Sequence, residues 1–208
     1  MREFYDSYQV LDGEELVIQF LGEDKFRIIP EKIFKKKVKD KLQEFQDLQD
    51  ENGEEKGESI LSEISKMTNL QKIEILKNEF VFLSQKPMEA RQRVDRNSTS
   101  VRESVPLALR RILEELYEGK CQVTRFTFQT KSNKPYFELH HIDPEKGNHV
   151  KNLLVVSPNT HAQFTHAHVE QHFDVEGWLR EVTFNGNRFS VFQIIDSLPK
   201  QFEKEIHV

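Results

Sequence analysis

Apolar and polar positions in the first part of the chain predict a short hairpin followed by a helix. Residues 14–20 and 25–29 have the composition of two strands, and the glycine-containing connection at 21–24 fits a hairpin. Apolar residues then recur at helical spacing with lysines between them, which predicts an amphipathic helix built on Ile33, Phe34, Val38, Leu42, Phe45 and Leu48.

The next stretch predicts a loop and two further helices. Residues 50–58 are polar and contain glycine, which predicts a loop, and residues 59–67 predict a second helix. Thr68-Asn69-Leu70-Gln71 has a capping-box pattern for a third helix that ends near Leu83. Gln85-Lys86-Pro87 breaks the chain, and we therefore expect a small, mostly helical module with a short hairpin over residues 1–88.

Residues 89–208 predict a different arrangement, which makes the whole chain α+β. Residues 136–142 alternate like a strand and stop at turn residues, and Leu153–Val156 is a compact apolar run. Pro158 fits the first turn of a helix, so the order is β, β, α. Residues 178–184 and 188–194 flank Asn185-Gly186, a strong signal for a hairpin turn.

Composition and charge narrow the class of protein. The 208 residues are 37% hydrophobic and 31% charged, which allows one domain or two small ones with a real core. One cysteine excludes an internal disulfide framework, and the lack of a long apolar run predicts a cytoplasmic protein without a membrane span. Residues 1–88 hold 14 basic against 19 acidic side chains, whereas residues 89–134 hold 10 basic against 6 acidic. The basic stretch either binds phosphates or forms a solvated face, and its candidate contacts are Arg96, Arg102, Arg110 and Arg111.

Candidate chemistry concentrates between residues 135 and 168. Glu138-Leu139-His140-His141 lies on the first predicted strand, Asn152 precedes the second, and His161 lies on the helix. Adjacent histidines on a strand point to opposite faces, so His140 and His141 are expected to serve different purposes. One can hold a metal ion while the other meets the substrate.

This segment resembles the HNH, or ββα-metal, nuclease motif, and its first part is also similar to the DNase domains of colicin-type bacteriocins. The resemblance covers about residues 91–168, including a preceding helix and a knuckle at Cys121-Gln122-Val123-Thr124. It implies a nuclease domain over residues 89–208, with its core motif at residues 135–168, that hydrolyses DNA phosphodiester bonds.

The resemblance also implies residue roles. His141 would be the general base that takes a proton from the attacking water, which suits an imidazole titrating near about pH 6.5. His140 and His161 would bind one divalent ion, with Mg²⁺ or Mn²⁺ expected first and Zn²⁺ or Ni²⁺ as alternatives. Asn152 would hydrogen-bond backbone across the loop that carries His141, and Glu138 would orient His140 from the same strand face.

The sequence departs from the family pattern at the third metal ligand. Colicin-type domains place a histidine four residues after the helix histidine, where this chain has Thr165. His166 is five residues on, about 140° round an ideal helix from His161. Either a displaced His166 completes the site, or water and phosphate complete a site with two protein ligands.

The second departure concerns the structural zinc ion that many HNH proteins carry on four cysteines. The family spacing would place cysteines at Cys121, Thr124, Ser157 and Thr160, and only the first is present. No structural Cys₄ zinc site is therefore expected. Packing is expected to hold the scaffold instead, through the aromatic residues Tyr117, Phe126, Phe128, Tyr136 and Phe137.

The resemblance therefore implies a metal-dependent HNH endonuclease that cuts DNA. By analogy with the family, it is expected to be an effector of bacterial restriction or phage defence, whose N-terminal module binds a protein partner such as an ATPase or sensor subunit. Two alternatives stay open: an RNase, and a non-catalytic nucleic-acid-binding module with a degenerate HNH site.

Overall fold

A computed structural model of the chain describes residues 2–22, 25–48, 53–91, 93–96, 99–102 and 104–198, without the side chains of residues 2, 3, 5, 93–96 and 99–102. Its N-terminal part contains four helices and one two-stranded antiparallel sheet. In chain order these elements are α1 (Arg2–Tyr8), β1 (Leu16–Gly22), β2 (Lys25–Pro30), α2 (Glu31–Gln46), α3 (Gly53–Thr68) and α4 (Lys72–Gln85).

The predicted hairpin and helices of this part are present, with two corrections. The loop predicted at residues 50–58 is wrong from Gly53 onward, because α3 begins there. Both Gly53 and Gly57 are buried in helix packing, and a Cβ at Gly53 would collide with the Leu107 side chain. The capping box also lies three residues later than predicted, on Gln71 and Glu74.

The C-terminal part is built from small antiparallel sheets around two helices. In chain order the elements are β3 (Arg93–Arg96), β4 (Thr99–Arg102), α5 (Leu107–Tyr117), β5 (Glu138–His141), β6 (Leu153–Val156), α6 (Pro158–His166), β7 (Val169–Phe173), β8 (Leu179–Phe184), β9 (Asn187–Ser190) and a short 3₁₀ helix (Ile194–Ser197). The chain is α+β, as predicted. β3, β4 and β7 were not predicted, and β9 ends earlier than the predicted strand 188–194.

The hairpin between β8 and β9 turns where the sequence indicated. Asn185 and Gly186 both have positive φ, at 49° and 84°. Two consecutive positive φ values match the right-handed twist of the flanking strands, which is why Asn-Gly favours this turn. β8 also pairs with β7, and together the three strands form one antiparallel sheet.

One hydrophobic core spans the boundary predicted at residue 88. Buried residues of α2, α3 and α4 pack with Ile112 and Leu113 of α5 and with Leu153, Val155 and Trp178. A second cluster, which includes Cys121, Leu154 and Val182, lies on the other face of β6. β6 is buried along its whole length because both of its faces are covered. The two halves of the chain therefore share a core.

Among the described residues, no helix combines the length and the apolar character needed to span a bilayer.

Candidate functional site

The candidate site is built on β5, β6 and α6. β5 and β6 pair antiparallel, with His140 opposite Leu154 and His141 opposite Leu153. The chain then enters α6 directly, because Ser157 caps the helix by accepting a hydrogen bond from the Thr160 backbone N–H. α6 packs against β5, which places His161 beside the histidine pair's strand.

Glu138, His140 and His161 meet between β5 and α6. The rings of His140 and His161 are 5.2 Å apart between centroids, and Glu138 Oε2 lies 2.5 Å from His161 Nδ1. The His140 ring is stacked on Phe164 at 4.2 Å. Burial, together with the neighbouring His161 and His141, lowers the pKa of His140 to about 4. His140 is therefore neutral near pH 7, as a metal-binding imidazole must be.

The carboxylate of Glu138 orients His161, whereas the sequence predicted that it would orient His140. A carboxylate that accepts from Nδ1–H holds the proton on that nitrogen and leaves the lone pair on Nε2. This carboxylate–histidine arrangement is the one that commonly supports a metal-binding imidazole. Two imidazoles, one of them backed by a carboxylate, can bind a divalent ion whose other positions are filled by water or substrate oxygens.

The structure does not bring His166 into this group. His166 is exposed at the last residue of α6, and Thr165 donates its hydroxyl to the His161 carbonyl, 3.1 Å away. Within the residues that the structure describes, no three His, Cys, Asp or Glu side chains form a ready metal cluster. Of the two sequence alternatives, the geometry favours the open site with two histidine ligands.

His141 lies on the opposite side of β5, and Asn148 holds its ring. His141 Nε2 is 3.0 Å from Asn148 Oδ1, and Asn148 Nδ2 donates to the Ser104 carbonyl at 2.9 Å. Because the amide nitrogen is committed to a carbonyl, the amide oxygen must face the histidine. Nε2 then carries the proton, and the lone pair lies on Nδ1. No sequence pattern pointed to Asn148, which lies in a turn-rich segment.

Asn152 ties together the loop that carries Asn148. Its Oδ1 accepts from the Asp143 backbone N–H at 2.9 Å, and its Nδ2 faces the carbonyls of Asp143, Lys146 and Gly147 at 3.0, 3.2 and 3.1 Å. The side chain is buried, so these contacts are shielded from water. Asn152 therefore fixes the loop between β5 and β6.

The four positions that the resemblance to HNH proteins equates with zinc-binding cysteines lie close together in this structure. Cys121 Sγ lies 3.4 Å from Thr160 Oγ1 and accepts from the Thr124 backbone N–H at 3.4 Å. Ser157 Oγ and Thr160 Oγ1 are 3.0 Å apart. Hydrogen bonds among these residues thus join the knuckle to α6.

Fewer of the predicted aromatic residues are buried in this scaffold than the sequence analysis expected. Tyr117 and Phe137 are buried, but Phe126, Phe128 and Tyr136 are exposed by 54%, 44% and 39%. The prediction that these three rings pack inside the scaffold is therefore wrong.

The four predicted phosphate-binding arginines lie in different surroundings. The Arg111 guanidinium contacts the Glu58 carboxylate and the Glu54 carbonyl, so it links α5 to α3. Arg110 is exposed and lies over the Phe137 ring, 4.4 Å from its centroid. Arg96 and Arg102 belong to β3 and β4, and their side chains lie outside the described part of the chain.

Comparisons of this chain with protein-family models, with curated proteins and with solved structures found no match.

Proposed function

We propose that this chain is a metal-dependent HNH endonuclease that hydrolyses phosphodiester bonds in DNA. The observation that carries the proposal is the placement of the candidate metal-binding and general-base residues on opposite sides of β5. Glu138, His140 and His161 converge on one side, and His141 lies on the other with its ring held by Asn148. The hydrogen-bonded cluster of Cys121, Thr124, Ser157 and Thr160 adds support, because the resemblance alone indicated that these positions should meet.

The chain's own residues supply the acid–base chemistry. His141, with its lone pair on Nδ1, takes the proton from the water that attacks phosphorus. Asn148 keeps the proton on Nε2 of that ring, and Asn152 holds the loop that positions Asn148. His140 and His161 would hold the divalent ion. When bound, the ion would stabilise negative charge on the scissile phosphate and on the departing 3′ oxygen.

The non-catalytic alternative has one observation in its favour. Within the described residues, no three His, Cys, Asp or Glu side chains at the candidate metal site are arranged to hold a metal ion together. A site that has lost a ligand binds metal less tightly, and a chain that keeps the ββα fold without turnover would still bind nucleic acid. Against this alternative stands the orientation of His141, which a binding module does not require.

We also propose that the N-terminal part binds a protein partner, as expected for an effector in restriction or phage defence. The β1–β2 hairpin supports this proposal because Ile18, Phe20 and Phe26 are exposed on one of its faces. Large apolar side chains grouped on a surface commonly mark an interaction site.

The proposed activity is tested by incubating the purified protein with supercoiled plasmid and, separately, with RNA. Each substrate is offered with Mg²⁺, Mn²⁺, Zn²⁺, Ni²⁺ or EDTA. We expect plasmid cleavage with at least one divalent ion and none in EDTA. Cleavage of RNA alone would support the RNase alternative. Binding without cleavage under every condition would support the non-catalytic alternative.

A further inference from the structure

Three exposed aromatic rings form a continuous row on the surface of the C-terminal part. Phe126 contacts Phe128 with centroids 6.1 Å apart, and Phe128 stacks on Tyr136 at 5.2 Å with an angle of 22° between the rings. Exposing three large rings costs solvation free energy that burial would recover. A row of this kind on a folded surface therefore indicates a ligand that covers it.

Backbone hydrogen bonds hold the segment that carries these rings, residues 126–136, which we call the aromatic loop. The Tyr136 N–H donates to the Phe128 carbonyl at 2.9 Å, and the Thr130 N–H donates to the Lys134 carbonyl at 2.8 Å. The Cys121 N–H donates to the Phe126 carbonyl at 2.9 Å, which anchors the loop to the knuckle. The rings are thus presented on an ordered hairpin, and binding a ligand there would require little additional ordering.

The row of rings leads directly to the candidate metal site. The Tyr136 hydroxyl donates to Glu138 Oε1 at 3.3 Å, and the other oxygen of Glu138 contacts His161. Tyr136, Glu138 and His140 alternate along one stretch of chain, so they share a face. A ligand lying over the rings would therefore end beside His140 and His161.

The charge of this region fits a polyanion. Residues 119–137 contain four basic side chains and no acidic one. Lys120 and Lys134 pair with Glu118 and Glu54, whereas Arg125 and Lys131 are exposed within or beside the aromatic loop. Arg125 lies over the Phe192 ring, 4.2 Å from its centroid, which fixes its guanidinium at the surface.

We propose that the aromatic loop is a stacking platform for the unpaired bases of a single nucleic-acid strand. The strand runs along the rings toward His140 and His161, with its phosphates near Arg125 and Lys131. Aromatic rings beside basic groups are the usual elements of single-strand binding, because every base has a face that can stack. Base pairs in a duplex hide those faces, so duplex DNA cannot use the loop. The inference rests on the proposed function and specifies its substrate as DNA with an unpaired segment.

The test measures binding by fluorescence anisotropy in EDTA, where no metal-dependent cleavage can occur. The ligands are labelled oligo(dT) of about 16 nucleotides, the upper end of a typical single-strand site, a duplex of the same length and an abasic strand of the same length. We expect oligo(dT) to bind more tightly than the duplex and the abasic strand. The abasic strand keeps the phosphates but has no bases to stack.

The informative variants are Phe126→Ala and Phe128→Ala. Each should weaken oligo(dT) binding by about 5- to 150-fold, the effect of losing one base–ring stack. Each should leave the already weak binding of the abasic strand unchanged. Both side chains are exposed, so the melting temperature should stay near wild type. The matched control is Phe173→Ala, which removes an equally exposed ring from β7, outside the aromatic loop.

Each outcome separates this inference from the proposed function. The platform is overturned if abasic strand and duplex bind as tightly as oligo(dT), if both loop variants bind like wild type, or if nothing binds. If the loop variants change the oligomeric state in light scattering and leave oligo(dT) binding intact, the rings form a protein interface, and the inference is wrong. Loop-dependent binding without cleavage in any metal would refute the nuclease and leave the platform standing.

Discussion

Replacing Asn152 with alanine should destabilise the protein through the loop between β5 and β6. The amide accepts one backbone hydrogen bond, from Asp143, and offers two N–H groups to three nearby carbonyls. Because two N–H groups can make at most two strong bonds at once, the side chain contributes about three hydrogen bonds. Alanine removes all of them and leaves the Asp143 N–H without this acceptor.

The expected loss in the free energy of unfolding follows from these hydrogen bonds. A buried hydrogen bond contributes about 0.5 to 1.5 kcal/mol net, so the loss of about three gives roughly 2 to 4 kcal/mol. For a chain of this size, about 2 to 4 °C per kcal/mol translates into a melting temperature lower by roughly 4 to 16 °C. Asn152→Asp should cost at least as much near pH 7, because a carboxylate would face three carbonyl oxygens with no proton to donate.

The assay is thermal or urea denaturation followed by circular dichroism. The matched control is Asn159→Ala, which alters an exposed asparagine on α6 and should stay within about 0.5 kcal/mol of wild type. An Asn152→Ala protein as stable as the control would refute the view that this side chain fixes the loop. The test does not depend on any catalytic activity.

Three further predictions concern the candidate site. Glu138→Gln should weaken Mn²⁺ binding by about 10- to 100-fold in calorimetry, because a neutral amide supports the metal-binding imidazole less well; unchanged affinity would contradict the role given to this carboxylate. Asn148→Ala should lower kcat with little change in KM, and the ¹⁵N spectrum should show His141 losing its single Nε2–H tautomer; a pure change in KM would argue against this role. Thr165→His should tighten Mn²⁺ binding by adding a ligand one helical turn on, while His166→Ala should leave it unchanged; a large loss from His166→Ala would instead make His166 a ligand.

The order of elements around the site could be read from the sequence because each is encoded locally. The apolar run Leu153–Val156 is buried on both faces, and Pro158 occupies the first turn of α6, where its missing N–H costs nothing. Asn185-Gly186 specifies its turn through positive φ values. These features depend on neighbours in the chain and need no knowledge of the tertiary fold.

What the sequence could not reveal depends on distant neighbours. Gly53 and Gly57 indicated a loop, but they lie inside α3, where a close approach to Leu107 and Leu48 leaves little room for a side chain. Glu138 on β5 contacts His161 on α6, a partner that is distant in the sequence. The spacing of Glu138 from His140 along the strand therefore suggested the wrong histidine.

The exposure of Phe126, Phe128 and Tyr136 also depends on the tertiary fold and could not be predicted from the sequence. Aromatic residues near a predicted core are usually buried, and sequence alone does not show where the core ends. Phe137 is buried against the helices, while its neighbour Tyr136 turns outward toward Glu138.

The most direct test of the proposed nuclease is the plasmid-cleavage rate of His141→Ala, with metal binding and DNA binding measured on the same preparation. The proposal predicts a rate lower by about 10² to 10⁴, the usual effect of removing a general base, with both affinities near wild type. A wild-type rate, or a loss of rate matched by an equal loss of DNA binding, would contradict the role of His141.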